Sequence, residues 1–414
     1  MKKKLLIYAN YFYPEVASTA QLITEMCVEL QKEYDVTVIC AVPCYTGKIE
    51  EKYKTKKFYY DEYKDIKIVR VRVKDFEKTS KRSRIKHILS YYINAIQATK
   101  KVGKQDVVMG ISQPPILGGL LVRKGKRITK GKSIYLVEDF NPEQIMAVGY
   151  SNLKPLLKLM LKVDNKSCKK SDLVITVASD MAENLKQRFK GKDLPKNVVI
   201  NNWIDEKEIY PLDKNNEKIQ EFRDKYNLNN KFVIMYSGNI GLYYDLENLI
   251  DVFSKFKDDK DVVFAFVGDG SVKQKLEERS KELGFENITF IPYQDKKDLI
   301  YSLNAADVHV VVNAKGIKGV SCPSKIYGVL ATNVPIFGIL EKGTEAWKII
   351  KNSNCGILSE TGNYEQIEEN LRKVIEEKDK FIKEHETGRS YLEQNFTKDR
   401  SMEKYKLAIE SVVE

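Results

Sequence analysis

Two short stretches in the second half of the chain have the residue types of an anion-binding site. The first is residues 232–253, in which an apolar run of strand length from Phe232 to Tyr236 precedes a glycine-rich turn. Helical spacing begins at Asp245, a residue type that caps helices. Such a turn presents backbone amides at the positive end of a helix dipole, which favours phosphate binding. The predicted contacts are Gly238, Asn239 and Gly241. An ordinary strand-to-helix turn is the alternative.

The second stretch is residues 321–327, where Pro323 occupies a position typical of a helix start. Hydroxyl groups and an ammonium group beside a helix N-terminus can hold an anion. The predicted contacts are Ser321, Ser324 and Lys325. A proline-started helix without a ligand is the alternative. Two such helix beginnings could together hold the two phosphates of one diphosphate.

Polar residues also follow two predicted strands of the first half. The strand Ser133–Val137 ends in Glu138 and Asp139, which could be catalytic, bind hydroxyl groups or cap a helix. Because consecutive strand residues face opposite ways, we expect only one of the two to point into a cleft. Ser112 and Gln113 follow another apolar strand, at the carboxyl edge where open α/β sheets bind ligands.

The elements that position these loops alternate between strand and helix. Leu5–Ala9 and Val36–Cys40 are typical strands, and they flank a helix preceded by Ser18 and Gln21, which have capping-box spacing. Such βαβ units build parallel sheets, and the second half repeats the pattern. The sequence predicts two α/β domains, residues 1–205 and 206–390, and a C-terminal helix within 391–414 that packs back across the junction. The last two helices are expected at 363–386 and 398–413.

Charge is distributed unevenly along the chain. Residues 1–205 carry 39 Lys and Arg against 22 Asp and Glu, a net charge of +17, whereas the remainder carries −5. A strongly basic half indicates an anionic partner surface, either a membrane or a nucleic acid. Part of the excess lies in residues 52–86, including a predicted strand Ile66–Val73 whose Lys67, Arg70 and Arg72 are expected to face water.

The helix after this strand combines cations with an apolar stripe. Arg82, Arg84 and Lys86 crowd its N-terminal end, where the helix dipole disfavours positive charge. The stripe comprises Ile85, Ile88, Leu89, Tyr92, Ile93 and Ile96. We interpret the cations as a membrane-surface patch. A merely solvated face and a nucleic-acid contact are the alternatives, and no nucleic-acid-binding motif accompanies the charge.

Cysteine and histidine usage argues against several other classes. The six cysteines are scattered without a CxxC pair, which suits a reducing compartment. The three histidines are far apart in sequence, so neither a metal site nor a Ser-His-Asp triad is expected. The N-terminal apolar run stops at Asn10 and is shorter than a signal peptide requires. We therefore expect a cytoplasmic protein at the inner face of the cell membrane.

A set of motifs along nearly the whole chain resembles the GT-B glycosyltransferases of family 4, a retaining group that builds bacterial surface polysaccharides. The motifs are Tyr13–Glu15 with Ala17–Ala20, Asp139–Glu143, Asn201–Asp205, Tyr236–Gly241, Val267–Gly270 and Pro323–Ala331. Asp139–Glu143 and Pro323–Ala331 are similar to a subgroup in capsule, O-antigen and colanic-acid synthesis. The resemblance implies an α/β GT-B fold, with two Rossmann-like doubly wound parallel-sheet domains facing a central cleft.

The resemblance also implies roles for single residues. Ile291 and Tyr293 would line the pocket for the base of a nucleotide-sugar. Independently of the resemblance, we choose Glu138 or Asp139 as the catalytic carboxylate that touches the acceptor or the sugar. The loop where donor and acceptor meet would contain Ala17, Ser18, Thr19, Ser112 and Gln113. No metal and no cofactor is implied.

Some positions depart from the family pattern. Val320 and Gly328 stand where the family often carries a pair of glutamates. Leu242, Tyr243 and Tyr244 replace its basic pair, and no histidine lies near Ser112 and Gln113. One of Lys325, Lys315 and Lys318 could supply the missing positive charge.

The sequence thus predicts transfer of a sugar from a nucleoside diphosphate sugar to a membrane-anchored, lipid-linked acceptor, without a metal. The alternatives are an inactive nucleotide-sugar-binding scaffold, suggested by the absent glutamates, and a sugar epimerase of the same fold. A nicotinamide-dependent oxidoreductase is disfavoured because Lys273 replaces the third glycine of a GxGxxG motif.

Overall fold

The computed structural model describes residues 2–45, 47–77, 80–149 and 153–413. These residues divide into two compact units. Unit 1 comprises Met1–Glu143, Ser151–Asn201 and Ser401–Glu414, and unit 2 comprises Gln144–Tyr150 and Asn202–Arg400. The last residues of the chain therefore belong to the same unit as the first.

Unit 1 is built on one mostly parallel sheet with the strand order β3-β4-β2-β1-β5-β6-β7-β8. Its strands are β1 (Lys4–Ala9), β2 (Asp35–Ala41), β3 (Phe58–Tyr63), β4 (Ile66–Val71), β5 (Val107–Ile111), β6 (Lys132–Val137), β7 (Leu173–Thr176) and β8 (Asn197–Val199). Only β3 runs antiparallel to its neighbour, among the described strands. Strands such as β1 are continuous apolar runs because helices cover both faces of a parallel sheet.

Helices connect these strands. They are α1 (Ser18–Leu30), α2 (Lys81–Val102), α3 (Leu117–Thr129), α4 (Glu143–Ala147), α5 (Lys154–Lys170) and α6 (Ser179–Arg188). Only the first residue of α4 belongs to unit 1. The chain runs outward from β1 to β2 on one side and returns to β5 on the other. A switch point therefore lies between β1 and β5, and such points are where open α/β sheets bind ligands.

Unit 2 has a parallel sheet with the strand order β11-β10-β9-β12-β13-β14. Its strands are β9 (Phe232–Ser237), β10 (Val262–Val267), β11 (Ile288–Ile291), β12 (Val308–Val312), β13 (Ile336–Leu340) and β14 (Gly356–Glu360). The order again reverses, here between β9 and β12. The loop after β9 and the loop after β12 therefore meet at the switch point of this sheet.

The helices of unit 2 pack on both faces of this sheet. They are α7 (Glu217–Lys225), α8 (Leu246–Phe253), α9 (Lys273–Glu282), α10 (Leu299–Asn304), α11 (Lys325–Thr332), α12 (Glu345–Ser353), α13 (Tyr364–Glu376), α14 (Lys378–His385) and α15 (Gly388–Asn395). One core contains phenylalanines from α8 and β10, with the rings of Phe253 and Phe264 stacked 5.0 Å apart. A second core lies around α11, where Ile326 and Tyr327 are fully buried. The final helix, α16 (Lys398–Val413), begins in unit 2 and continues in unit 1.

Three expectations about local structure are wrong. The predicted helix at 363–386 is divided into α13 and α14. The side chain of Ser18 does not cap α1; Ala17 occupies the N-cap position, and Gln21 donates to the carbonyl of Val16. Arg70 is buried rather than solvated, because its guanidinium pairs with Asp61 of the neighbouring strand β3, which sequence periodicity did not reveal.

Candidate functional site

Two glycine-rich loops lie against each other at the carboxyl edge of the unit 2 sheet. Gly238 follows β9 and Gly268 follows β10, and both have positive φ values, 140° and 142°. A Cβ atom on Gly268 would lie 2.0 Å from the carbonyl oxygen of Gly238. A side chain at Gly268 is therefore excluded by both backbone conformation and space.

The contact between these loops uses some of the predicted amide donors. The amide of Gly238 donates to the carbonyl of Val267, and the amide of Ile240 donates to that of Asp269. The amides of Asn239 and Gly241 have no acceptor among the described residues. The backbone amides of Asn239 and Gly241 thus remain available for a ligand. The amide of Gly238 is not available, because it already donates to Val267.

The helix after the first loop does not begin as expected. A short 3₁₀ turn, Leu242–Tyr244, comes before α8. Asp245 has a left-handed backbone and makes no side-chain cap; its carboxylate instead accepts from Asn248 and from the hydroxyl of Tyr364. Asp245 therefore links the loop to α13, and its side chain does not cap α8.

The second predicted stretch lies beside the first. Helix α11 begins at Lys325, two residues later than expected. The amides of Ser324 and Lys325 at its start have no acceptor among the described residues, as expected for the first turn of a helix. A Cβ atom on Gly238 would be 3.4 Å from Nζ of Lys325, so the glycine loop and the start of α11 are in contact. The predicted proximity of the two stretches is observed within unit 2.

Lys325 has surroundings that are unusual for a cation. Its ammonium nitrogen lies 3.8 Å from the centre of the Tyr236 ring and 4.0 Å from that of Tyr244. The nitrogen is buried, and it has no hydrogen-bond partner among the described residues. Burial lowers the pKa of Lys325 well below its usual value. Aromatic faces attract a cation but do not neutralise it, so Lys325 has no counter-ion among the described residues.

The other two candidate lysines are placed differently. Lys318 donates from its ammonium group to the carbonyl of Lys342, and its backbone amide donates to the Glu341 carboxylate. Lys315 is exposed and lies near Gly362. Lys325 is therefore the candidate that contacts the glycine loop.

The other residues predicted to contact the nucleotide-sugar include both buried and exposed positions. Ile291 ends β11 fully buried in a core that includes Val267, so its side chain faces the interior. Tyr293 is 50% exposed. Ser321 and Ser324 are half-buried in the segment that enters α11. Tyr293 is the member of the predicted base-binding pair whose ring is open to solvent.

In unit 1, the predicted acceptor residues meet at the switch point between β1 and β5. The buried hydroxyl of Ser112 accepts from the backbone amides of Glu138 and Asp139, at 3.1 and 3.2 Å. The side-chain amide of Gln113 donates to the hydroxyl of Thr19 at 3.5 Å. The first turn of α1 and the loops after β5 and β6 are thus joined by side chains that the sequence had indicated separately.

The first residues of α1 complete this edge. Ala17 is buried and Ser18 is exposed. Glu15, which precedes them, accepts from the backbone amides of Cys44 and Tyr45. Glu15 therefore fixes the loop after β1 to the loop after β2, a positioning contact that the sequence did not indicate.

A buried ion-pair network supports the segment that carries Glu138 and Asp139. The guanidinium of Arg188 contacts Glu143 at 2.5 Å and Asp164 at 2.6 Å, and it stacks 4.0 Å from the Phe140 ring. Tyr135 donates to Asp164 at 2.9 Å. Burial raises the pKa of Asp164, and the charge of Arg188 opposes that effect. Sequence reasoning missed this network because its members are far apart in the chain.

The predicted membrane patch lies on the first turns of α2, where Arg82, Arg84 and Lys86 are all exposed. The apolar stripe of this helix is only partly covered. Its exposed members are Ile85 (57%), Leu89 (45%) and Ile93 (52%). The core-facing side of α2 instead carries His87, Tyr91, Ala95 and Ala98.

No group of three or more His, Cys, Asp or Glu residues among those described is placed to hold a metal ion. In the same part of the chain, the helices lack the combination of length and apolar composition that crossing a bilayer requires.

Residues 218–390 match the sequence profile of the family Glycosyl transferases group 1. This region contains both glycine loops and Lys325. The chain is 26% identical over 275 residues to the probable glycosyltransferase WbjE of Pseudomonas aeruginosa, covering 65% of this chain and 66% of that protein. It is 22% identical over 412 residues to the protein of Escherichia coli K12 named "Putative colanic acid biosynthesis glycosyl transferase WcaI", covering 97% of this chain and 98% of that protein.

Solved structures agree with the fold over the whole chain. Sucrose-phosphate synthase from Thermosynechococcus elongatus superposes with a TM-score of 0.77 at 11% identity, covering 99% of both chains. HepE from Anabaena, solved with UDP and glucose, superposes with a TM-score of 0.71 at 14% identity, covering 99% of this chain and all of that one. The predicted GT-B class with two Rossmann-like parallel-sheet units is confirmed.

Proposed function

We propose that this protein transfers a sugar from a nucleoside diphosphate sugar to a membrane-anchored, lipid-linked acceptor during surface polysaccharide synthesis. The observation that carries the proposal is the buried, unpaired ammonium group of Lys325 beside Gly238. The names of WbjE and WcaI and the nucleotide bound to HepE support the same class of reaction.

The chemistry follows from the charge that develops during transfer. Breaking the bond between the sugar and the diphosphate places negative charge on the leaving diphosphate and positive charge on the anomeric carbon. Lys325, with the free amides of Asn239, Gly241 and Ser324, would stabilise the diphosphate without a metal. Because these donors are already oriented, little reorganisation is needed in the transition state. Tyr293 would contact the base.

We assign the acceptor to the switch point of unit 1. Glu138 or Asp139 would contact a hydroxyl group of the acceptor or the sugar, beside Ser112 and Gln113. In keeping with the family that the motifs resemble, we propose retention of the anomeric configuration. The exposed cations and apolar residues of α2 would bring this unit to the inner face of the cell membrane, where a lipid-linked acceptor resides.

The first experiment is thermal unfolding of the purified protein with UDP-, GDP- and dTDP-sugars, without added metal and with EDTA. We expect stabilisation by one of these nucleotides, and its loss in Lys325→Met. The exposed Lys260→Met variant is the control. Failure of every nucleotide at millimolar concentration would contradict the proposal.

The second experiment concerns turnover. The protein and the responding nucleotide-sugar are incubated with membrane extract, and sugar transfer to the lipid fraction is measured. The anomeric configuration of the product reports retention or inversion.

A liposome flotation assay with Arg82→Gln/Arg84→Gln/Lys86→Gln tests the α2 patch. If this variant bound liposomes as tightly as the unsubstituted protein does, the result would argue against the patch.

An inactive nucleotide-sugar-binding scaffold is the second candidate. Its basis is the absence of the two glutamates: Val320 is buried, and a Cβ on Gly328 would lie 3.4 Å from Leu303 in the core. Nucleotide binding without transfer to any membrane extract would favour the scaffold. Conversion of the donor sugar to its epimer would instead indicate a GT-B epimerase.

A further inference from the structure

Unit 1 carries a strongly basic groove that no part of the proposed transfer reaction uses. The groove runs between α3 and α5 and has a volume of about 700 Å³. Its cations are Arg123, Lys124, Arg127 and Lys130 from α3 and its end, with Lys166 and Lys170 from α5. We call these six residues the basic groove.

The groove results from the close approach of two helices. A Cβ atom on Gly119 of α3 would be 2.7 Å from the Cβ of Ser167 on α5, so the two helices nearly touch there. The long cationic side chains on either side of this contact therefore face a shared space. Their proximity is fixed by the small residues beneath them.

The positive charge of the groove is poorly compensated by the protein. Lys126, which also borders it, pairs with Asp172 at 2.7 Å. Among the described residues, none of the six basic-groove cations has a carboxylate within salt-bridge distance. Repulsion between these cations opposes folding, so an external anion would stabilise this face.

The helix dipoles explain only part of this arrangement. Cations are favoured in the last turn of a helix, which accounts for Arg127 and Lys170. Lys124 and Lys166 lie before the last turns of α3 and α5, where the dipole effect has fallen off. Their presence points to an anionic partner.

Exposed leucines identify the kind of partner. On α5, positions 156, 159, 163, 166 and 170 recur at intervals of three and four, so they lie on one helix face. At the beginning of this face, Leu156 is 47% and Leu159 is 58% exposed; at its end are Lys166 and Lys170. A face that is apolar at one end and cationic at the other matches a bilayer surface, with acyl chains beneath phosphate groups. The groove residues include no aromatic side chain that could stack on a base.

We infer that the α3–α5 face docks on an anionic phospholipid bilayer, with the basic groove holding lipid phosphates and Leu156 and Leu159 entering the acyl region. The inference rests on the membrane-linked acceptor proposed above, and it adds a contact separate from the α2 patch. Two separate elements holding one unit on the membrane would fix its orientation as well as its location.

The test is flotation with vesicles of phosphatidylcholine, with and without 30% phosphatidylglycerol. The groove variant is Lys124→Gln/Arg127→Gln/Lys166→Gln, and the control is Lys260→Gln/Lys281→Gln/Lys351→Gln, which removes equal charge from exposed positions of unit 2. Each cation near an anionic surface contributes about a fivefold factor in binding. We expect the groove variant to bind anionic vesicles about a hundredfold more weakly and the control to bind as the unsubstituted protein does.

A second variant separates the apolar contribution from the charge. Leu156→Ser/Leu159→Ser should bind anionic vesicles more weakly, and the remaining binding should be abolished by 0.5 M salt, which screens the charges. Neither variant should lose the thermal shift caused by the nucleotide-sugar, which reports an intact unit 2. If no nucleotide shifts the protein but vesicle binding depends on the groove, the donor assignment fails and this inference stands.

Three results would overturn the inference. The groove variant could bind anionic vesicles as tightly as the control variant. Vesicle binding could depend on the α2 cations alone. The groove variant could instead lose binding to duplex DNA or to inorganic pyrophosphate while vesicle binding is unchanged.

Discussion

Lys325 places its ammonium nitrogen 3.8 Å from the centre of the Tyr236 ring, at the end of strand β9. The tyrosine ring is fully buried, and its hydroxyl donates to the carbonyl of Asn239 within the glycine loop. One aromatic side chain therefore positions both the loop and the cation that we assign to the donor diphosphate. No hydrogen-bond acceptor among the described residues contacts this nitrogen.

Nucleotide affinity should fall as the pH rises. Burial lowers the pKa of Lys325. In the free protein, this lysine therefore loses its proton at a lower pH than a solvent-exposed lysine does. A bound diphosphate favours the charged form, and binding above the lowered pKa therefore requires proton uptake. We expect a tenfold loss of affinity per pH unit in that range. Calorimetry in buffers of different ionisation enthalpy measures the uptake directly.

Lys325→Arg should remove this pH dependence, because a guanidinium remains charged. If nucleotide affinity in Lys325→Arg depended on pH as it does in the unsubstituted protein, a group other than Lys325 would cause the dependence.

In the free protein, Lys325→Met should raise the melting temperature at neutral pH. The sign follows because a lysine whose pKa is lowered by folding destabilises the fold at any pH below its unfolded value.

Gly268→Ala should disrupt both glycine loops. The new Cβ would meet the Gly238 carbonyl at 2.0 Å, in addition to the strain of φ 142°. We expect a loss of about 3 kcal/mol in the free energy of unfolding and no measurable nucleotide binding. The control is Gly284→Ala, which also has positive φ but approaches only the end of the Lys257 side chain, at 3.9 Å.

The control should cost about 1 kcal/mol and keep nucleotide binding, since it adds backbone strain without a clash. Chemical denaturation and nucleotide titration of both variants provide the comparison. Equal losses in the free energy of unfolding of the two variants would mean that backbone strain, rather than the contact with the Gly238 carbonyl, destabilises Gly268→Ala.

Arg188→Met should destabilise unit 1 by about 3–5 kcal/mol, because it removes the cation that pairs with two partly or fully buried carboxylates, Glu143 and Asp164. The exposed pair of Lys207 and Asp399 is the comparison, and Lys207→Met should leave the free energy of unfolding nearly unchanged, because solvent screens this pair. Sugar transfer should decline in Arg188→Met, since the segment with Glu138 and Asp139 loses its support.

The pH dependence distinguishes this mechanism from a simple packing loss. Burial raises the pKa of Asp164, and without Arg188 the pKa should rise further. The cost of a raised carboxyl pKa is present above the unfolded value and disappears on protonation. The stability difference between Arg188→Met and the unsubstituted protein should therefore shrink as the pH falls. A constant difference would indicate lost packing.

His309 should make unit 2 sensitive to acid. It is fully buried in β12 with Nε2 2.9 Å from the carbonyl of Leu303, and burial lowers its pKa from 6.5 to about 4. Stability should be unaffected above pH 6.5 and should fall between pH 6.5 and 4, as the unfolded chain binds the proton first. The full loss is about 3 kcal/mol.

Replacement by a residue that does not titrate tests this assignment. His309→Gln should be less stable than the unsubstituted protein at pH 7.5 but should show a flatter profile between pH 6.5 and 4. Denaturant titrations across this range give the measurement. An unchanged slope would assign the acid sensitivity to carboxyl groups.

Much of the fold could be predicted because its signals are local. The parallel strands are apolar runs, and glycine turns end them where the backbone needs positive φ, as at Gly238. The sequence also selected Ser112, Glu138 and Asp139 separately, and parallel topology brings the ends of their strands together. Helical periodicity identified the apolar stripe of α2 but not which part of it neighbouring elements cover.

The sequence by itself determined most of the parallel strands, the glycine loops and the basic character of the first half, because each depends on neighbouring residues. Only the tertiary structure decided which lysine contacts the glycine loop, namely Lys325 rather than Lys315 or Lys318. It also decided that Arg70 is buried and that cations of α3 and α5 lie close together. These features depend on contacts between residues that are distant in the chain, and burial and electrostatic energy are set by such contacts.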